Sequence, residues 1–251
     1  MSATRILPTP GRFRNGWPRH SGPLPASAPR ALPQLPVYYH TLFRALGPQH
    51  WWPGRTRFEV IVGAILTQNT TWSNVERALS ALRREKLLSP TAIERIPFSR
   101  LARLIRSSGY FRQKARKLKQ FVLFLRDQHQ GSLDKLLATP TSDLREQLLS
   151  VHGIGPETAD SILLYAGRHP VFVVDAYTRR IFERHHLLHG KESYEDIRAL
   201  FERSLPPDSS LLNEYHALIV HTGKHFCQKR QPLCERCPLK PFLPPSEDLH
   251  P

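Results

Sequence analysis

Asp143-Leu-Arg-Glu-Gln-Leu-Leu-Ser-Val151 runs directly into His152-Gly-Ile-Gly-Pro-Glu-Thr-Ala-Asp-Ser-Ile-Leu-Leu164, and this stretch decides the architecture. Leu144, Leu148 and Val151 fall on one face of a helix, which Gly153 stops. A second helix begins at once, because Pro156 suits the first helical position, where its missing N–H costs nothing. Ala159, Ile162, Leu163 and Ala166 then recur along one buried face. Gly153-Ile154-Gly155 therefore joins two packed helices: the glycines allow a tight turn and close approach to a ligand, and Ile154 pins the turn to the core. Free N–H groups at the start of the second helix attract an anion such as phosphate. A Gly-x-Gly alone would equally suit a plain α-hairpin turn, so the surrounding sequence carries the weight.

Outward from the hairpin the periodicity stays helical, with no alternating strand of useful length. It predicts helices over 36–46, 57–66, 72–85, 93–104, 113–128, 133–138, 143–151, 156–166, 176–185, 194–204 and 211–225, an all-α fold without internal repeats. Val171-Phe-Val-Val174 is the one β-like run, and it reads as a buried connector ending at Asp175. Residues 1–36 hold eight of the 23 prolines among scattered Arg, Gly and Ser, a composition that cannot bury enough apolar surface to fold and predicts a disordered basic arm. An organellar transit peptide is the other reading of this acid-free start, but the prolines break an amphipathic helix.

Lys plus Arg number 36 against 21 acidic residues, a formal charge of +15 over 251 residues. Eight Arg and no acid lie in residues 1–58, so the rest keeps a surplus of seven. Such a surplus favours a polyanionic partner, nucleic acid first, over a neutral small molecule. The three Cys are confined to Cys227–Cys237, which rules out a disulfide framework and reads as metal ligation in a reducing compartment. No apolar run is long enough to span a bilayer and no secretory signal opens the chain. A soluble, cytoplasmic, nucleoid-associated monomer without membrane contact is expected.

Leu-x-x-x-Gly-Ile-Gly-x-x-Thr-Ala within the hairpin, then Pro170-Val-Phe-Val-Val-Asp175 and Arg179-Arg-Ile181, resembles the helix-hairpin-helix, Gly/Pro-rich, Asp signature of the endonuclease III superfamily of DNA glycosylases. Gly63-Ala-Ile-Leu-Thr-Gln-Asn69 and Ser108-Gly-Tyr-Phe-Arg-Gln-Lys-Ala115 extend the likeness, which spans roughly residues 37–243. The resemblance implies two helical lobes around a DNA-binding cleft. Residues 57–168 would form a six-helix lobe with the hairpin at 143–166. Residues 37–56 and 169–243 would form a second lobe with a Cys loop at 227–243, followed by a tail at 244–251.

Within that family the carboxylate matching Asp175 stands at the cleft mouth. Breaking an N-glycosidic bond builds positive charge on the sugar and calls for an activated water, and a carboxylate serves both needs. Asp175 also suits the N-cap of the helix that follows. Glu157 occupies the position where bifunctional members carry Lys, whose amine attacks the sugar and leads to strand cleavage. Glu cannot do this. The departure points to a monofunctional glycosylase and to the branch acting on 3-methyladenine and other alkylated purines, with Glu157 either in the base pocket or a favourable anion in the first helical turn.

A glycosylase extrudes its target base and must fill the gap. The resemblance gives that task to Gln68. Tyr110 and Phe111, in a turn before a basic run (Arg112, Lys114, Arg116, Lys117, Lys119), would serve as a wedge with phosphate contacts, although the run by itself equally suits an ordinary solvated helix face; His152, Gly153, Ile154, Gly155 and Thr158 would form the DNA-binding hairpin. Trp51, Trp52, Trp72 and Tyr177 could stack on a cationic base. Cys227-x6-Cys234-x2-Cys237 reproduces three ligands of the family's 4Fe-4S loop, but Leu243 stands where the fourth Cys belongs. Three outcomes stay open: a cluster with another ligand, a zinc site helped by His225, or no metal. Lys224, Lys229 and Arg230 near the loop could grip phosphate. Two other functions compete: a bifunctional glycosylase/lyase using Lys191 or the N-terminal amine, and a non-catalytic helix-hairpin-helix DNA-binding protein.

Overall fold

A computed structural model describes residues 32–49, 51 and 54–244. Trp52, most of the N-terminal arm and all but the first residue of the expected tail lie outside them. The described residues form helices and no strands: α1 (Gln34–Leu46), α2 (Arg57–Leu66), α3 (Trp72–Arg84), α4 (Pro90–Arg95), α5 (Phe98–Leu104), α6 (Phe111–His129), α7 (Leu133–Leu137), α8 (Thr141–Ser150), α9 (Pro156–Ser161), α10 (Ala176–Arg184), α11 (Tyr194–Ser204) and α12 (Ser209–His225). None is long and apolar enough to cross a membrane.

Starts and stops follow local chemistry. Thr56, Ser89, Asp175, Ser193 and Asp208 each accept a first-turn N–H with their side chains, capping α2, α4, α10, α11 and α12. Two expectations need correction. The arm ends earlier than residue 36: Leu35 is fully buried in α1, and the Leu32 N–H donates to Ser204 Oγ at 2.8 Å. The helix expected over 93–104 is two helices, because Pro97 pushes Ile96 out of the helical region to an extended conformation.

The hairpin is α8, the turn 151–155 and α9. Gly153 has φ +86°, and a Cβ there would lie 2.6 Å from Lys117 Cγ, so both conformation and space demand glycine. Ile154 is buried in the turn, as expected, a burial that stabilises by roughly 1.5–3 kcal/mol. The second helix does not stay α-helical. Residues Ile162–Ala166 form a π turn, closed by Gly167 N–H donating to Ile162 O. Such turns gather at functional sites.

An ion network, buried at Asp160 and open at Glu195, fastens the hairpin to α11. Arg145 of α8 grips Asp160 of α9 through Nε at 2.7 Å and Nη2 at 3.2 Å, and Nη2 also reaches Glu195 of α11 at 2.5 Å. Removing one partner would leave an uncompensated interior charge. α11 also explains why Val171–Val174 is a connector rather than a strand. Glu202 accepts the Phe172 N–H and the Tyr194 hydroxyl oxygen accepts the Val174 N–H, so side chains supply what a neighbouring strand would have offered. All four connector side chains are buried, and the segment delivers Asp175 to its place.

Candidate active site

Asp175 stands on a cleft of about 550 Å³ between the hairpin, α2, α3 and α12, a size that admits a nucleobase. Its Oδ1 accepts from the Thr178 N–H at 2.8 Å and the Thr178 hydroxyl at 3.0 Å. This cap orients the carboxylate and leaves Oδ2 for other work. Glu157, in the first turn of α9, lines the same cleft. Although it faces the open side, the surrounding protein and then the Asp175 charge push its carboxyl up to about 7. Two carboxyl groups thus share one cleft, and the raised one, Glu157, is the group suited to carry a proton.

The cleft walls are aromatic: Trp51, Trp72, Tyr165 and Tyr177. Tyr177 lies so close to α12 that a Cβ on Gly223 would fall 2.3 Å from its ring, and Arg180 stacks on it at 5.0 Å. Two lining groups were not singled out by sequence. Tyr165 comes from the π turn and His216 from α12, and Lys224, expected near phosphate, reaches the same cleft wall two turns further along α12. Neither spacing nor composition marked Tyr165 and His216, because their convergence is tertiary.

The expected DNA-contacting residues take varied places. His152 and Gly155 are exposed on the turn, whereas Thr158 is buried and accepts from Gln68 Nε2 at 2.9 Å. Gln68 is folded onto the hairpin: its Nε2 also donates to Gly153 O at 3.1 Å, and Lys117 Nζ donates to its Oε1. Tyr110 is 65% exposed and holds a left-handed backbone at φ 44°, a conformation unusual for a bulky residue.

Lys114 corrects the phosphate-binding expectation. It is buried, and its Nζ donates to Leu66 O at 2.8 Å and Ser108 O at 2.6 Å; burial, then nearby Lys117, lowers its ammonium to about 8. Lys119 likewise donates to Glu94 O and Ile96 O. Of the basic run only Arg112 and Arg116 are freely exposed.

Cys227, Cys234 and Cys237 are free thiols around one small pocket that Leu243 completes. Arg184 Nη1 donates to Cys227 Sγ at 3.2 Å and to Gln228 O, bracing the loop. No group of three or more His, Cys, Asp or Glu among the described residues is gathered to hold a metal ion. The zinc alternative also fails on placement. His225 packs against His221 at 4.5 Å over a different hollow. Three thiols with Leu243 beside them leave a four-iron cluster one thiolate short of its usual four.

Residues 62–207 match the family model of the HhH-GPD superfamily of base excision DNA repair proteins. The chain belongs to that superfamily. A Methanocaldococcus jannaschii protein, MJ1434, which carries the assignment of DNA repair glycosylase, is 47% identical over 206 residues, covering 81% of this chain and 93% of that one. Endonuclease III of Sulfolobus acidocaldarius is 31% identical, over 75% of this chain and 83% of its own. Among solved structures, the H. pylori 3-methyladenine DNA glycosylase MagIII bound to 1,N6-ethenoadenine aligns at TM-score 0.66 and 29% identity, covering 77% of this chain and 98% of that one. A trapped endonuclease III–DNA covalent intermediate aligns at TM-score 0.73 and 22% identity, a likeness of fold. For an HhH-GPD protein, a hairpin and a carboxylate-bearing cleft belong to base excision repair, and the all-α architecture agrees.

Proposed function

We propose that this HhH-GPD protein is a monofunctional DNA glycosylase that hydrolyses the N-glycosidic bond of an alkylated purine. The observation that carries the reading is that Asp175 shares its cleft with a Glu157 whose carboxyl is pushed up to about 7, where strand-cutting relatives would need an amine. The turn backbone at exposed His152 and Gly155 and half-buried Gly153 meets phosphate. Tyr110 wedges into the duplex, and Gln68 leaves the hairpin to fill the vacated stack. The extruded base enters between Trp51, Trp72 and Tyr177, whose faces suit a cationic alkylated ring. Asp175 stabilises the sugar cation through Oδ2 and takes a proton from the attacking water, while protonated Glu157 offers a hydrogen to the departing base. The likeness to a glycosylase bound to 1,N6-ethenoadenine supports this choice of base.

One observation favours a second reading, a glycosylase with lyase activity. Lys224 brings an amine to the cleft wall, whereas Lys191 does not line the cleft. Incubation with 1,N6-ethenoadenine, 3-methyladenine and thymine-glycol duplexes, analysed with and without alkali, decides between them. Base release that yields strand breaks only after alkali supports hydrolysis. Direct nicking with a borohydride-trapped adduct, lost in Lys224→Ala, establishes the lyase. No release from any duplex leaves a DNA-binding protein.

A further inference from the structure

His216 is buried within α12, with its ring stacked on Trp51 at 5.5 Å and edge-on to Phe172 at 6.2 Å. Its Nδ1 lies 2.5 Å from the Tyr165 hydroxyl. Its Nε2 has no hydrogen-bond partner yet points at Asp175 Oδ2 from 3.6 Å, too close for an intervening water. A buried ring nitrogen aimed at a carboxylate, with its other nitrogen engaged, calls for an explanation.

Building on the glycosylase reading, we propose that Tyr165 and His216 form a positioning dyad that holds Asp175 Oδ2 in its reactive orientation and keeps the negative charge of the carboxyl pair on Asp175 rather than Glu157. The tautomer follows from geometry. If Nδ1 carried the proton, the Nε2 lone pair would face a carboxylate oxygen, a repulsive contact in a desolvated site. With the proton on Nε2, Tyr165 O–H donates to Nδ1 and the Nε2–H faces Oδ2. Burial lowers the histidine's proton affinity, which keeps the ring neutral, and holds the Tyr165 hydroxyl in its protonated, donating form. Thr178 already pins Oδ1, so a donor at Oδ2 removes the carboxylate's remaining rotation.

The charge argument uses the same placement. Asp175 and Glu157 share the cleft, and besides His216 the other titratable groups on its walls are Tyr165, Tyr177, Lys224 and Glu76. The Nε2–H is directed at one carboxyl of the two. A charge-assisted hydrogen bond there favours the anion on Asp175, leaving Glu157 as the proton carrier. Acid and base are thereby distinguished before substrate arrives.

The test measures single-turnover excision of 1,N6-ethenoadenine, binding to a duplex with a tetrahydrofuran abasic analogue, and 15N shifts of the histidine ring. His216→Phe keeps the stacking and removes the donor; on the order of tenfold or more loss of rate is expected, with affinity unchanged. His216→Gln, which can present an N–H at similar reach, should recover most of that rate. Wild-type His216 should show the Nε2–H tautomer, and Tyr165→Phe should mix the tautomers with a smaller rate loss. Wild-type excision rates in His216→Phe, a Gln variant as slow as Phe, or an Nδ1–H wild-type tautomer would each overturn the dyad. If the Phe variant does not fold, the Tyr165→Phe rate and ring shifts decide alone, unchanged values for both refuting it. A wild-type enzyme that releases no base defeats the glycosylase reading instead, while the ring shifts still report on the dyad.

Discussion

Glu157→Gln is the sharpest perturbation, because it fixes the carboxyl in an uncharged form that the wild type holds over part of the pH range only. A carboxyl at about 7 is mostly neutral at pH 5.5. At pH 8.5 only about 3% stays neutral, so excision that requires the neutral acid should fall on the order of thirtyfold between those two values. The Gln variant, unable to ionise, should lose that alkaline limb and stay flat, at a lower level if proton donation itself matters. Stability changes in the matching direction. A carboxyl raised in the fold binds its proton more tightly there than in the unfolded chain, so stability is greatest below about 4.5 and declines as pH rises through 7. The shift sets a ceiling of about 3 kcal/mol. Because Glu157 faces the open cleft, solvent screening trims this to about 1 kcal/mol. Urea unfolding should therefore find Glu157→Gln more stable than wild type at pH 8 and equal to it at pH 4.5. Single-turnover excision of 1,N6-ethenoadenine across pH 5.5–8.5 provides the kinetic half. An alkaline limb that persists unchanged in the Gln variant would refute the reasoning, since another group would then be titrating.

Asp175→Asn should abolish excision while duplex binding, measured by fluorescence anisotropy, and the melting temperature stay near wild type, because Asn caps a helix about as well as Asp. Lys114→Met should lower stability by about 2 kcal/mol or more in urea titrations, since two buried carbonyls lose their donor; a surface lysine engaged with phosphate would show no such loss. Replacing Cys227, Cys234 and Cys237 by Ser should leave excision and melting temperature within the range of surface substitutions, and iron analysis with visible absorbance checks the premise directly.

The hairpin and the Asp175 cap were legible in sequence because each rests on local rules: glycine where φ is positive, proline at a first turn, an acid before a helix. The break at Ile96-Pro97 was equally local and could have been read from proline's effect on its predecessor. Lys114 was hidden for a different reason. A lysine amid other cations on an amphipathic helix reads as surface, and only the approach of α2 and the turn at Ser108 turns its ammonium inward. His216 and Tyr165 sit in apolar runs where a polar tip looks incidental. Their relation to Asp175 exists only once α12 crosses the π turn. The Cys spacing preserved a familiar pattern, yet Leu243 stands at the pocket they line where the pattern calls for a fourth thiol.

One buried ammonium joins the end of α2, which leads to Gln68, to the turn that leads to Tyr110. If Gln68 and Tyr110 are the two probes of the duplex, as proposed, the backbone segments that carry them are the arms of a caliper held at one opening. DNA would then be bent to the gauge, and the enzyme would dwell wherever stacking has been weakened enough for that bend to be cheap. On this view the first thing read along the strand is compliance, and chemical identity is asked only of a base that has already given way.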